Sequence, residues 1–593
     1  MPESTHLSAR AVNKAHVAAL KQAGIAPLLA PIYAARGISS VQQLSTEFKN
    51  LIAPPRLHNV ERMAAILADA IEKKRRLLIV ADYDSDGATA CAVGMRALRS
   101  FGAVVDYLVP NRFEYGYGLT PEIVALAKTI KNPDLMITVD NGIASVDGVA
   151  AANQLGMQVL VTDHHLPGPE LPDALCIINP NQPGCGFPSK NLAGVGVMFY
   201  LMLALRAELR KRGAFEAVRN AKCKVQNAEH SHSSLITHHS SLELPEPNLA
   251  ALLDLVALGT VADVVKLDDN NRILVQQGLQ RIRAGKTWPG VSALMQIADR
   301  DPRRASTYDL GFVLGPRLNA AGRLDDMSVG IECLITNDPA HAARIARELD
   351  SLNRQRRTIE SDMHEDALTA LEGISPDDGY SLCLFDPRWH QGVIGILASR
   401  IKERWHRPVI AFAHGSNGEI KGSGRSIPSL HLRDALDLVA KHEPGLLLRF
   451  GGHAAAAGVT LRASDFERFQ ATFEAVTRKL LTPADLARTL ETDGALDIDM
   501  RTIASARLIE QQVWGQGFPQ PTFDDMFTVV QQRIVGERHL KLRLMQDGAE
   551  YEAMLFSHAT PLPATIRAVY RLGVNEYRGA QTLQLTIEHW QPA

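Results

Sequence analysis

The stretch Leu77-Leu78-Ile79-Val80-Ala81-Asp82-Tyr83-Asp84-Ser85-Asp86-Gly87 decides how this chain folds. A short apolar run, 77–80, breaks into three carboxylates on alternate residues closed by glycine, and a helical pattern follows over 88–99. Clustered carboxylate oxygens suit a hard divalent cation. An EF-hand loop starts in the same way, but it requires a bidentate Glu at its twelfth position, here Val93, and a helix in front. Neither condition is met. A turn of ordinary surface acids is the remaining bland alternative, and the flanking sequence argues against it.

Further apolar runs follow at 104–109, 135–139 and 157–161, separated by helices that open at Thr120-Pro121-Glu122 and near Val146. Short buried strands alternating with helices specify an α/β fold with a parallel sheet covered on both faces. Asp140-Asn141-Gly142 closes the run at 139, and Asp163-His164-His165 closes the run at 161. The carboxyl ends of parallel strands line one crevice. Asp82, Asp84, Asp86, Asp140, His164 and His165 are therefore expected at one site. Many carboxylates with one or two imidazoles favour Mn²⁺ or Mg²⁺ over a thiolate zinc site. The surplus of ligands implies two ions, about 3.5–4 Å apart, as in phosphodiester cleavage. One histidine can ligate while the other assists the scissile phosphate or a proton transfer.

The remaining chain falls into blocks. Residues 1–76 form a helical lead-in, whose last helix ends in Lys73-Lys74-Arg75-Arg76, a basic cluster suited to a helix C-terminus. The catalytic block spans 77–335, interrupted at 213–248 by a Ser- and His-rich stretch that reads as a flexible solvated insertion, not a metal site. A connecting helix occupies 336–362, with an exposed arginine-rich core over 340–360, and a second α/β block spans 363–475. The tail, 476–593, carries five strand-like runs and predicts an OB-type barrel or a sandwich.

Composition bounds the function without choosing it. The chain has 593 residues, 63 Lys+Arg against 65 Asp+Glu, a net charge of −2, and 46% hydrophobic residues. This excludes a disordered or collagen-like chain and a polycation that binds nucleic acid through bulk charge. Six scattered cysteines without CxxC spacing suit a reduced compartment. The start shows no signal-peptide pattern, and the most apolar run, 195–205, is too short to span a bilayer, so a cytoplasmic chain with no membrane partner is expected.

The set Asp82-Tyr-Asp-Ser-Asp-Gly, Val139-Asp140-Asn-Gly, Asp163-His-His and Leu258-Gly-Thr-Val-Ala-Asp263 resembles the four motifs of the DHH phosphoesterases. Asn111-Arg112 with Gly116-Tyr-Gly118, Pro316-Arg317 to Arg323, His390-Gln-Gly-Val-Ile-Gly395, Ser423-Gly-Arg425 and Gly451-Gly-His453 resemble motifs of the RecJ branch of that family. The similarity covers nearly the whole chain. It implies a 5′→3′ exonuclease specific for single-stranded DNA, acting in repair and recombination, that depends on two Mn²⁺ or Mg²⁺ ions. The metal ligands it implies are Asp82, Asp84, Asp86, Asp140, His164 and Asp263, with His165, Asp84 and Asp140 at the chemical step. Spacing alone leaves Asp254 as an alternative to Asp263, and the family motif selects Asp263. Ser85 stands where the family often has Ala or Val, a harmless departure because its side chain is not a ligand. The Ser- and His-rich stretch around 222–247 has no counterpart in the family pattern.

Ser423 and Arg425 are expected in a Gly-rich turn that holds a phosphate, with His453 as a polar contact. The resemblance implies that Arg112, Arg317, Asn319 and Arg323 complete the substrate-binding set. In the tail, Arg533, Arg538, Lys541 and Arg543 supply charge, and Tyr551, Phe556, Tyr570 and Tyr577 are candidate stacking rings. The resemblance implies a monomer that acts on single-stranded DNA with a 5′ end, with single-strand-binding protein and a RecQ-type helicase as partners. Two other readings compete: a small-molecule or oligonucleotide phosphodiesterase of nanoRNase type, and a non-catalytic nucleic-acid-binding protein on the same fold.

Overall fold

The computed structural model describes residues 5–111, 115, 118–215, 245–371, 379–415, 417–577 and 579–593. Most of the 213–248 insertion and Arg112 therefore lie outside the described residues. After a first strand, β1 (His6–Ala9), the lead-in is helical and closes with the helix Val60–Glu72.

Five strands follow: β2 (Arg76–Ala81), β3 (Val104–Leu108), β4 (Leu135–Val139), β5 (Gln158–Thr162) and β6 (Cys176–Ile178). They form an all-parallel sheet in the order β3-β2-β4-β5-β6. Successive residues of one strand serve opposite cores. Leu77, Ile79 and Ala81 pack on the side of the helices Ser85–Ser100 and Gly194–Lys211, while Leu78 and Val80 pack on the side of Pro121–Ile130 and Val146–Gln154. Burial on both faces is why these strands read as continuous apolar runs. The chain leaves β2 on one side for β3 and returns on the other for β4. The topological switch point thus lies between β2 and β4, where the crevice of a doubly wound sheet opens.

The apolar run 195–205 is the interior of the buried helix Gly194–Lys211. No helix among the described residues is long and apolar enough to cross a membrane.

The connecting helix runs over Pro339–Ala370, 32 residues or about 48 Å at the helical rise. One face is solvated as expected, with Arg344, Arg347, Arg354 and Arg357 exposed, but the opposite face is buried. Ala342, Ile345, Ala346, Leu349, Met363 and Ala367 are buried, and so are Asp350, Asn353 and Arg356. Arg356 is satisfied along its own helix by Asn353 and Glu360. Its N-terminal half packs on the helices Pro289–Ile297 and Gly315–Leu324, and its far end on Ile394–Trp405 of the second block.

That block carries β7 (Leu382–Phe385), β8 (Val409–His414), β9 (Glu419–Arg425), β10 (Arg449–Gly452) and β11 (Ala456–Arg462) in the order β10-β11-β9-β8-β7. Only β7 and β8 run parallel. The strand β12 (Thr489–Thr492) then pairs in parallel with β1, His6 opposite Thr489. Arg10 and Arg36 both bind Asp493 just beyond it.

The tail resolves the barrel-or-sandwich alternative. The strands β13 (Phe523–Val535), β14 (His539–Gln546), β15 (Ala549–Leu555), β16 (Thr565–Tyr577) and β17 (Ala580–Pro592) close a barrel in the order β13-β14-β15-β17-β16. Tyr570 is fully buried, its hydroxyl donating to Asp525 at 2.8 Å, and Tyr551 lies over the buried Arg501 guanidinium. Those two rings belong to the barrel core. Phe556 is exposed, and the Tyr577 side chain lies outside the described residues.

Candidate metal centre

β2 ends at Ala81, and the chain turns through Asp82-Tyr83-Asp84 into the helix Ser85–Ser100. Asp84 caps that helix, its Oδ1 accepting from the Asp86 and Gly87 amides at 2.9 and 3.0 Å. Gly87 is required here, because a Cβ would lie 2.5 Å from the Asp82 carbonyl oxygen. Ser85 has a structural role. Its amide donates to Asn319 Oδ1 at 2.7 Å, and its hydroxyl lies 2.9 Å from both Asn319 Oδ1 and the Gly315 carbonyl. Asn319, expected at the substrate, fixes the acidic turn through this oxygen.

Asp86 is fully buried and accepts from the Gly194 and Val195 amides at 2.6 and 2.9 Å. The N-terminus of the helix Gly194–Lys211 therefore points its dipole at this carboxylate. Asp140 ends β4 in the left-handed region, φ 62°, a conformation rare outside glycine and concentrated at functional sites. A Cβ on Gly194 would fall 2.6 Å from the Asp140 Cβ, so glycine at that position allows the two elements to meet.

Asp163 organises the histidine pair. Its Oδ1 accepts from the His164 and His165 amides at 2.7 and 3.0 Å and lies 2.8 Å from His165 Nδ1, while Oδ2 accepts from Ile143 N at 2.8 Å. Asn179 and Asn181 hold the carbonyls of His165 and His164. The two rings diverge, planes 54° apart, as their different expected roles require. His164 Nε2 faces Asp140 Oδ1 at 3.0 Å, Asp263 Oδ2 at 3.6 Å and Asp86 Oδ2 at 3.9 Å.

Two adjoining nests result. Ligand atoms of Asp86, His164 and Asp263 lie within 4.8 Å of one another, as do those of Asp82, Asp84 and Asp140, and Asp140 also groups with His164 and His165. Asp140 Oδ1, His164 Nε2 and Asp263 Oδ2 are buried without hydrogen-bond partners. Such atoms are costly unless something else satisfies them. Burial and mutual repulsion push the Asp140 and Asp263 carboxyls well above the usual range, and burial with Asp84 raises Asp86 to about 7. Burial, with His165 beside it, lowers His164 to about 4, which leaves a neutral imidazole suited to ligation. For His165, burial is outweighed by the Asp163 carboxylate, reinforced by Asp82 and Asp84, and its value rises to about 9. An acidic, self-repelling nest with orphaned donor atoms fits divalent cations.

Asp254 is separate from this centre. It accepts from the Leu255 and Trp288 amides at 3.0 and 2.9 Å, which leaves Asp263 as the ligand candidate.

The second block faces the centre through His453, whose ring stacks toward His165 with centroids 6.2 Å apart. Ser423 and Arg425 lie on β9, not in a turn, with side chains on one strand face. Arg425 is half-buried, donates to Ser423 Oγ at 3.2 Å and the Gly424 carbonyl at 2.8 Å, and sits beneath Gly395, where a Cβ would fall 2.9 Å from its guanidinium. Arg323 bridges the blocks by donating to the Gly392 carbonyl at 3.0 Å. Arg317 departs from its expected phosphate role. It is buried and spent on Asp350, at 2.9 and 3.0 Å, and on the Val313 carbonyl, because the connecting helix packs over it.

Sequence reasoning assigned no role to Asp163, Gly194, Asn179 or Asn181. Asp163 was legible in its own tripeptide, and Gly194-Val195-Gly196 at a helix start was a second signal. The two asparagines act from a neighbouring loop and carried none.

An acidic nest with histidines at the switch point of a parallel sheet is the arrangement of a DHH-type phosphoesterase, and residues 76–220 match the DHH family N-terminal domain. Residues 378–479 match the DHHA1 domain, and residues 492–589 the RecJ OB domain. The chain is 49% identical over 577 residues to the single-stranded-DNA-specific exonuclease RecJ of Dickeya dadantii, covering 95% of this chain and 96% of that one. It is 48% identical over 582 residues to the RecJ of Escherichia coli, covering 96% of each. The crystal structure of RecJ in complex with Mn²⁺ from Thermus thermophilus superimposes with a TM-score of 0.80 at 28% identity, covering 100% of this chain and 80% of that one. The chain belongs to the RecJ family of single-stranded-DNA-specific exonucleases.

Proposed function

We propose that this chain removes nucleotides from single-stranded DNA in the 5′→3′ direction and depends on two Mn²⁺ or Mg²⁺ ions. Asp82, Asp84, Asp86, Asp140, His164 and Asp263 would hold them. The observation that carries the reading is the set of buried, unpartnered Asp140, His164 and Asp263 atoms converging at the switch point. Bound ions there would supply an activated water and neutralise charge on the phosphodiester. The chain's own residues do the rest. Asp163 keeps His165 charged and oriented toward the cleft, where it can donate a proton or pair with a phosphate oxygen. His453, Ser423 and Arg425 on the opposite wall would hold the terminal phosphate. We divide the chain accordingly into a lead-in over 1–76, a catalytic block over 77–335, a connecting segment from 336 that carries the helix Pro339–Ala370, a substrate block ending near 475 and a tail beyond it that closes in the barrel. Family membership also favours single-strand-binding protein and a RecQ-type helicase as partners.

The test is digestion of long single strands labelled at either end, with Mn²⁺, with Mg²⁺ and with chelator. Early release of the 5′ label, only with metal, is expected. Early release of the 3′ label, or faster hydrolysis of a dinucleotide than of the long strand, would overturn the reading.

A further inference from the structure

Two large rings stand in solvent at the edge of the catalytic block. Tyr308 is 55% exposed and Phe312 67%, and they stack with centroids 5.2 Å apart and planes 22° from parallel. They belong to a π-helical turn, Asp309–Leu314 with Tyr308 at its cap, and such turns are rare and concentrated at functional sites. The turn is braced rather than loose. Buried Asp309 accepts from Arg300 Nε at 2.6 Å and from the Ser306 amide and hydroxyl at 2.8 Å.

The turn also abuts the helix Leu253–Ala262, which delivers Asp263. A Cβ on Gly311 would lie 3.1 Å from Val261, and one on Gly315 would lie 3.1 Å from Ala262. On its other side, Tyr308 lines a cleft of about 990 Å³ whose far wall is the OB barrel, with Phe556, Arg571 and Val574. Arg300 and Arg304 share the near wall, each paired with a carboxylate, and six acidic side chains line the same cleft, so ring stacking rather than charge would hold a strand here.

We propose that Tyr308 and Phe312 form a base-stacking platform for single-stranded DNA between the barrel and the metal centre. The inference rests on the proposed function. Exposed, nearly parallel ring faces beside an open cleft suit unpaired bases, which stack without regard to sequence. A duplex cannot offer its base faces, so the platform contributes to single-strand preference.

The experiment compares the full-length chain with its Tyr308→Ala/Phe312→Ala variant in Mn²⁺. The variant should raise KM for a long single strand about 5- to 30-fold, at unchanged kcat and unchanged hydrolysis of a dinucleotide. On a strand with abasic sites in the cleft region the two proteins should converge, and Tyr308→Phe/Phe312→Trp should restore KM on the intact strand. Quenching of 2-aminopurine in the bound strand should be lost in the double-alanine variant. If the unaltered chain digests the strand and the folded variant matches it in KM and quenching, this inference fails alone, and the pair belongs to a protein contact. If the unaltered chain does not digest single strands, the underlying function fails instead.

Discussion

The imidazoles of His165 and His453 lie nearly parallel, 15° apart, although one ends a strand of the catalytic sheet and the other follows β10 of the second block. The two differ in charge. His165 is held protonated by Asp163, whereas burial, with His165 beside it, lowers His453. A charged and a neutral imidazole can both donate to one phosphate without repelling each other. His453→Ala is therefore expected to raise KM for strands by about tenfold or more, the scale of a lost hydrogen bond to a charged group. Steady-state kinetics decide, and an unchanged KM would remove His453 from the substrate.

Asp263 and Asp254 sit on one helical segment with opposite roles. Asp263→Ala and Asp140→Ala should each lower kcat by roughly 10³-fold, equivalent to about 4 kcal/mol, and abolish calorimetric Mn²⁺ binding at one site. Asp254→Ala should leave Mn²⁺ binding intact and lower stability, since it strips the acceptor from the Trp288 amide. Loss of metal binding in the Asp254 variant would reverse the assignment.

Asp254 also sets a pH dependence. Burial raises its carboxyl to about 6, above the value near 3.9 of an unfolded aspartate. The folded chain thus binds this proton more tightly, so the contribution is complete below about pH 4 and is lost as pH rises through about 6. The loss is on the order of 3 kcal/mol. Asp254→Asn should flatten that part of the stability curve in denaturant titrations, and parallel curves for the two proteins would refute it.

Asp163 touches no proposed ion yet holds both histidines. Asp163→Asn should cut activity about 10- to 100-fold and weaken Mn²⁺ binding, as losses of supporting carboxylates do, while thermal unfolding still shows a folded chain. Full activity in this variant would mean that the backbone alone orients His164 and His165.

The parallel sheet and its acidic strand ends were legible because both follow local rules: doubly buried strands read as unbroken apolar runs, and crevices open at their carboxyl ends. Asp82 to Gly87, Asp140 and Asp163 to His165 fell into place on that logic. Side chains whose roles depend on a distant element did not. Arg317 looks like any arginine in a helix until the connecting helix brings Asp350 over it. Asn319 and Ser85 meet across 234 residues. Arg425 required the β9–β11 register to be seen as part of a strand face. In the barrel, the core ring Tyr570 and the exposed ring Phe556 follow the same residue chemistry, and only strand closure separates them.

The pairing of β1 with β12 imposes an order of assembly. Arg10 and its partner Asp493, beside that pairing, are 483 residues apart. At ribosomal speeds of about 5–20 residues per second, that interval takes roughly half a minute to a minute and a half. The catalytic sheet, complete by Ile178, can form well inside it. β1 meanwhile carries unpaired backbone groups, an open edge of the sort that invites wrong partners. An early strand waits for a late one: the Val60–Glu72 helix can dock on Gly194–Lys211 early, but the first strand of the lead-in is paired only when synthesis has almost reached the barrel.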